Sequence, residues 1–134
     1  MAGRERQIQT ACVNWFRLKH GTKARIFAVP NGGSRHKIEA INLKREGVTA
    51  GVLDLVVAYP VGEFGGLFIE MKADNGSLTK EQKDWSDYLK SVGYAVAACW
   101  TVDEFMATVG MYMKGVFNNK QQEELQKVWK LKRK

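Results

Sequence analysis

The sequence is poor in the residues that build thiol and imidazole metal sites. It has two cysteines, Cys12 and Cys99, and two isolated histidines, His20 and His36, and no metal-ligand spacing such as Cys-x-x-Cys. Cys12 falls in a helical pattern and Cys99 in an apolar strand pattern, so we expect buried, reduced thiols. A disulfide is the alternative, disfavoured in the reducing compartment inferred next.

The sequence also lacks long apolar segments. No stretch approaches the roughly 20 apolar residues that a membrane helix needs. The N-terminal residues lack the apolar run of a signal peptide. We therefore expect a cytoplasmic protein with no membrane partner. A chain of 134 residues, 45% of them hydrophobic, suits one compact domain.

Positive charge is abundant, and it is concentrated at the two ends of the chain. Residues 1–47 carry ten Lys/Arg and three Asp/Glu, residues 48–113 carry four and nine, and residues 114–134 carry seven and two. Basic flanks favour a polyanion such as nucleic acid. An acidic centre that meets a polyanion needs neutralising, which a metal cation would provide. The alternative is that the lysines and arginines only keep the protein soluble.

Hydrophobic periodicity and turn residues divide the chain into alternating helices and strands. The helix signals include a Ser34 cap and a Thr79-x-x-Gln82 capping box, and the glycine-rich residues 60–66 predict a hairpin. The predicted helices cover residues 5–19, 35–46, 80–91, 102–113 and part of 115–134, and the predicted strands cover residues 25–29, 53–59, 67–72 and 94–100. This order predicts an α/β sheet core with helices packed on it.

Three charged residues interrupt the apolar strands of the predicted hairpin. Glu70 and Lys72 are two residues apart and therefore share a face of their strand, and Asp54 joins them if the hairpin pairs in the matching register. Buried, neighbouring carboxylates are costly and repel each other. A hard divalent cation removes both problems, and the backbone carbonyl of Met71 is a third candidate ligand.

This trio of side chains supplies the parts of a hydrolytic site. A divalent cation makes the water that it binds lose its proton more readily, and a lysine beside it stabilises charge on a phosphate under attack. The alternative is structural: Glu70 and Lys72 form an ordinary ion pair at a strand end, and Asp54 caps a turn.

These residues resemble a known superfamily. A helix with Glu5, followed by Gly51-x-x-Asp54 and Glu70-x-Lys72, is similar to the PD-(D/E)XK nucleases. The segment from Glu70 to Trp85, which includes Gln82, resembles the VRR-NUC family, the virus-type replication-repair nucleases. Gly93 and the turn Pro30-Asn31-Gly32 also fit, and the resemblance covers about residues 3–106. It implies a mixed central sheet flanked by helices.

The resemblance also implies roles for individual residues. Asp54 and Glu70 correspond to metal ligands, together with the Met71 carbonyl, and Lys72 corresponds to the catalytic lysine. Glu5 corresponds to a first-helix acid that aids metal or water binding, and Gln82 to a glutamine near the metal-bound water or phosphate. Gln9 lies one helical turn after Glu5. Leu53 replaces the proline that usually precedes the aspartate, but that proline performs no chemistry.

Stand-alone phage and bacterial members of the family suggest how this chain is organised. Such nucleases pair up, and some cut branched DNA such as four-way junctions, which implies a homodimer in a bacterial or phage-infected cell. We expect a nuclease domain over residues 1–113 and a basic helix or tail over residues 114–134. The tail's Leu125, Val128 and Trp129 face would form a dimer contact or pack on the domain.

Basic and polar residues outside the trio are candidate DNA contacts. Asn31, Arg35 and Lys37 follow the first predicted strand and could touch the DNA backbone, although a plain turn with a helix cap is favoured there. The basic residues at 130–134 would contact phosphates or only solubilise the chain.

The sequence therefore predicts a DNA endonuclease that depends on Mg²⁺ or Mn²⁺. The main alternative is a non-catalytic nucleic-acid-binding module on the same fold, and a structural dimerisation protein is a third hypothesis. Metal-dependent cleavage separates the first hypothesis from the other two.

Overall fold

The computed structural model of the protein describes residues 3–30 and 37–133. The elements follow the predicted order of helices and strands. They are α1 (Gly3–His20), β1 (Ile26–Ala28), α2 (Lys37–Arg45), β2 (Leu55–Val57), β3 (Leu67–Met71), α3 (Lys80–Ser91), β4 (Ala95–Cys99), α4 (Val102–Met113) and α5 (Asn119–Lys132). The predicted Ser34 cap lies outside the described residues.

Within the described residues, four strands form one mixed sheet in the order β1-β2-β3-β4. β2 pairs antiparallel with β1 and with β3, which confirms the predicted hairpin, and β3 pairs parallel with β4. α3 makes the crossover between the two parallel strands, as a parallel pair requires. The register places Leu55 opposite Ile69, so the next position along β2, Asp54, lies opposite Glu70.

The central strands are shorter than predicted at the end that carries the charged residues. β2 begins at Leu55 rather than Leu53, and β3 ends at Met71. The Met71 N–H donates to the side chain of Asp54 at 2.9 Å. A carboxylate oxygen thus takes the place of a backbone partner, and regular pairing stops at Asp54.

The sheet separates two apolar layers. The larger layer packs α1 and α4 on one face, where Phe16, Phe105 and Tyr112 are fully buried. The smaller layer packs α3 on the other face through Leu53, Leu89 and Val96. Within β3, Glu70 alternates with Ile69 and Met71 of the larger layer, so its side chain lies on the α3 side of the sheet.

Both cysteines are free and buried, as predicted. Burial raises the pKa of Cys12 and of Cys99 to about 12, so both thiols stay protonated near neutral pH. They therefore act as small apolar side chains in the core.

The C-terminal helix α5 lies along β4. Asn119 accepts a hydrogen bond from Val96 N–H at 2.8 Å, and Gln126 accepts one from Ala98 N–H at 3.0 Å. These side-chain amides satisfy the backbone groups that β4 turns away from β3, so the strand does not present a bare edge. Along α5, Leu125 and Trp129 are half-buried, whereas Val128 is exposed.

No helix in the described part of the chain is both long and apolar enough to span a membrane.

Candidate metal and catalytic site

The site begins with two carboxylates brought together by the β2–β3 register. Glu70 is buried in β3 with 2% of its surface exposed, and Asp54 is 8% exposed. The Met71 N–H holds Asp54 in place at 2.9 Å. This bond engages Oδ2 of Asp54.

Helix α1 adds a third carboxylate to this pair. Glu5, Asp54 and Glu70 each offer an oxygen, and these three oxygens lie within 4.8 Å of one another. The pKa of Glu5 is raised, first by burial and then by the nearby Asp54 carboxylate, while Lys72 opposes the shift. The first turn of α1 therefore completes a compact acidic cluster at one end of the sheet.

Lys72 lies directly beside this cluster. Its Nζ is 3.7 Å from Glu70 Oε2, and its side chain is only 13% exposed. Lys72 follows Met71 immediately, and its backbone N–H donates to Cys99 O at 3.0 Å, so the end of β4 fixes the backbone from which the ammonium group projects.

Gln82 connects the acidic cluster to the start of α3. Its Oε1 accepts from Thr79 N–H at 2.9 Å, and its own N–H donates to Thr79 Oγ1, which completes the predicted capping box. Its Nε2 donates to Glu70 Oε2 at 2.9 Å. Since a carboxylate only accepts and a backbone N–H only donates, these two partners fix the orientation of the amide.

Gly51 allows the loop that carries Asp54 to lie against α3. Its φ is +89°, and a Cβ built there would lie 2.6 Å from Glu81 Cβ and 2.8 Å from Glu81 O. Only glycine tolerates both the backbone conformation and the close approach. The Gly51-x-x-Asp54 spacing marked this position in the sequence, but its physical reason becomes apparent only from the contact with α3.

Glu70 lacks a partner for one of its oxygens. Its Oε1 is buried and has no hydrogen-bond partner among the described residues. The pKa of Glu70 is raised to about 9, chiefly by burial and then by Asp54, against the opposing charge of Lys72. A proton shared with Asp54 or a cation between the carboxylates would relieve this arrangement.

These observations fit a hard divalent cation. Three converging carboxylates with an unpartnered buried oxygen are the donor set that Mg²⁺ or Mn²⁺ prefers. Gln9, one turn after Glu5, also has a buried Oε1 with no partner in the described chain. The residues that would hold the ion are Glu5, Asp54 and Glu70.

The predicted DNA contacts lie in or next to a part of the chain that the structure does not describe. Asn31 and Arg35 lie outside the described residues, and Lys37 begins α2. At Met71, the backbone contact with Asp54 is made by the N–H, so the role of the carbonyl as a metal ligand stays a prediction.

Two comparisons with known proteins find the same domain. The VRR-NUC domain model matches residues 3–103 of the chain. Among solved structures, one described as a VRR_NUC domain protein is similar at a TM-score of 0.72 and 30% sequence identity, covering 89% of this chain and 96% of that chain. No curated protein matches the chain.

Proposed function

The chain belongs to the VRR-NUC family of the PD-(D/E)XK nuclease superfamily, and we propose that it is a DNA endonuclease that depends on Mg²⁺ or Mn²⁺. The observation that carries the proposal is the convergence of the Glu5, Asp54 and Glu70 carboxylates within 4.8 Å, with Lys72 at 3.7 Å from Glu70. A nuclease-type fold with such a cluster is suited to phosphodiester hydrolysis.

Each residue at the site has a proposed task. Asp54, Glu70 and Glu5 hold the cation, with the Met71 carbonyl as a further ligand. Lys72 orients the attacking water and stabilises negative charge on the phosphate as it is attacked. Gln82 holds Glu70 Oε2 from the α3 side, which leaves Oε1 free to bind. When bound, the cation supplies a Lewis acid that polarises the phosphate and eases deprotonation of water.

The substrate and assembly follow from family resemblance. We propose that the enzyme prefers branched DNA, such as a four-way junction, and that it works as a homodimer in a bacterial or phage-infected cell. Two active sites in one dimer would let both strands of a junction be cut in one encounter. Asn31, Arg35 and Lys37 remain proposed contacts to the DNA backbone.

A cleavage panel tests this proposal. Single-stranded, flapped, linear duplex and four-way-junction DNA are incubated with the protein and Mg²⁺ or Mn²⁺. We expect cutting only with metal, and fastest on the junction. Lys72→Ala should reduce cleavage by a factor of about 10² or more, because it removes charge stabilisation in the transition state. Lys114→Ala, at an exposed position outside the site, is the matched control.

Two results would contradict the proposal. The first is absence of cleavage of every DNA with either metal while circular dichroism shows a folded protein. The second is calorimetry that detects no metal binding to the wild type, which would instead favour a non-catalytic binding module. If Lys72→Ala and Lys114→Ala cut equally well, the lysine would have no catalytic role.

A further inference from the structure

A groove on the protein surface lies at the same end of the sheet as the acidic cluster of Glu5, Asp54 and Glu70. An open groove of about 1000 Å³ lies between the turn at residues 74–78, the end of β4 at Trp100 and Thr101, and helix α5. Its basic lining residues are Arg4, Lys83, Lys127, Lys130 and Arg133, and its acidic ones are Asp74 and Glu123. The groove therefore carries an excess of positive charge.

The acidic residues of the groove already have cationic partners. Arg4 pairs with Asp74 at 2.8 Å, and Lys90, which lies outside the groove, pairs with Glu123 at 2.5 Å. Lys83 and Lys130 form no ion pair with a described residue. The unpaired positive charge of the groove is thus concentrated at these two lysines.

Lys127 and Lys130 are positioned to meet a polyanion. They are three residues apart, so their Cβ atoms lie about 5–6 Å from each other on one side of α5. Lys127 pairs with Glu124 at 3.4 Å, and 74% of its side chain is exposed. The hydrated ammonium group of a lysine binds phosphate as a point charge, without the fixed bidentate geometry of an arginine.

The groove leads directly to the catalytic cluster. Leu78 and Lys83 line both the groove and a smaller cavity of about 180 Å³ that reaches Glu70. On the opposite wall, a Cβ at Gly76 would lie 3.6 Å from Lys72 Cδ, so the groove borders the catalytic lysine. Trp100 Nε1 donates to Gly76 O at 2.7 Å and fixes that wall.

Helix α5 is anchored against the rest of the fold at this groove. Arg133 pairs with Glu104, which is 6% exposed, and its guanidinium lies 4.6 Å from the centre of the Trp100 ring. The VRR-NUC match ends at residue 103, so α5 lies beyond the matched region. This helix forms one wall of the groove.

We propose that this groove binds the phosphate backbone of the DNA strand that leads into the active site, through Lys83, Lys127 and Lys130. The proposal rests on the nuclease function proposed above, because it names how the substrate is held beside the cluster. It assigns α5 to substrate binding. A polyanion is the occupant that charge complementarity selects, and continuity with Glu70 and Lys72 identifies it as the substrate.

Charge-matched double variants test the groove. Lys127→Ala/Lys130→Ala removes two groove lysines, and Lys120→Ala/Lys132→Ala removes two exposed lysines of the same helix that do not line the groove. Both pairs are made in the Lys72→Ala background, so that bound DNA is not cut. Binding of a fluorescent duplex is measured by anisotropy in Mg²⁺ over a range of salt concentrations.

We expect only the groove pair to weaken binding, on the order of tenfold near physiological salt, and to lower the salt slope by about 2, since each lost phosphate contact contributes about 0.9. Equal affinities and slopes for the two double variants would overturn the proposal, as would absence of DNA binding by the Lys72→Ala parent.

The same pairs, made with Lys72 intact, separate this inference from the proposed function. If the wild type cuts DNA and the two pairs bind equally, the groove proposal fails and the nuclease proposal stands. If the wild type cuts nothing but the groove pair still loses affinity, the nuclease proposal fails and the binding surface stands.

Discussion

Glu70 combines two requirements that oppose each other in one side chain. It is buried and accepts a hydrogen bond from Gln82, and it would have to ionise to bind the proposed cation. Its pKa is raised to about 9, first by burial and then by Asp54. Without metal, the folded protein therefore retains a proton at Glu70 that the unfolded chain releases near pH 4.5.

The sign of the pH dependence follows from this difference. A group whose pKa is higher in the folded state stabilises the fold fully below its unfolded pKa and loses that contribution as the pH rises. In chelator, the free energy of unfolding should thus decline between about pH 4.5 and pH 9. Metal binding must displace the proton, so metal affinity should strengthen over the same range.

Glu70→Gln should stabilise the metal-free protein at pH 7, by on the order of 2 kcal/mol, because Glu70 must take up a proton when the wild type folds and the amide need not. It can still accept from Gln82. Thermal unfolding with chelator and with Mg²⁺ measures the effect. Wild type should gain stability from Mg²⁺ and Glu70→Gln should not. Glu63→Gln, at an exposed carboxylate, is the control. A Glu70→Gln protein that is less stable in chelator would contradict this account.

At the scale of elements, patterns among residues close together in the chain correctly predicted several local features. Alternation along residues 67–72 correctly placed Glu70 and Lys72 on one face of a strand, and the glycine-rich loop correctly predicted the hairpin. The Thr79–Gln82 capping box was also readable from spacing alone. These features depend on residues close together in the chain.

The remaining features depend on contacts between distant elements. The position of Glu5 depends on how α1 lies across the sheet, which helical periodicity does not encode; only the family resemblance pointed to it. Likewise, the bond from Gln82 to Glu70 requires α3 to lie against the end of β3. The amides of α5 that satisfy β4 carry no periodic signal, so the edge cover was not predicted.

Gly51 is the point where the loop that carries Asp54 packs closely against α3. Gly51→Ala should destabilise the protein by about 2 kcal/mol or more and weaken metal binding, because the methyl group meets the backbone of Glu81. Gly47→Ala is a matched control: Gly47 also has a positive φ, of +107°, but nothing lies within 4 Å of its Cβ position.

The difference between these two alanine variants isolates the contact with α3 from the backbone strain that they share. Urea unfolding gives the stability of each, and calorimetric Mg²⁺ titration gives the metal affinity. Equal losses in both variants would show that only backbone strain matters at Gly51. Loss of metal affinity in Gly47→Ala as well would mean that the effect is not specific to the loop of Asp54.

At the scale of the whole molecule, α5 contacts the edge of the sheet, helix α4 and the basic groove. Gln122 is buried and donates to Thr108 of α4 at 2.9 Å, while Gln126 caps β4. A boundary near residue 113 coincides with the end of α4, but the separation of domain and tail stays a prediction. Unfolding experiments can measure whether α5 unfolds together with the rest of the domain.

Gln126→Ala should lower the free energy of unfolding by about 1–3 kcal/mol, because it leaves the buried N–H of Ala98 without its acceptor. If α5 unfolds together with the sheet, circular dichroism and tryptophan fluorescence should shift to one lower urea midpoint. Gln121→Ala, at an exposed position of the same helix, should leave the midpoint unchanged. Two separate transitions in the wild type would instead mark α5 as an independent unit, and equal midpoints for both variants would mean that β4 does not depend on this cover.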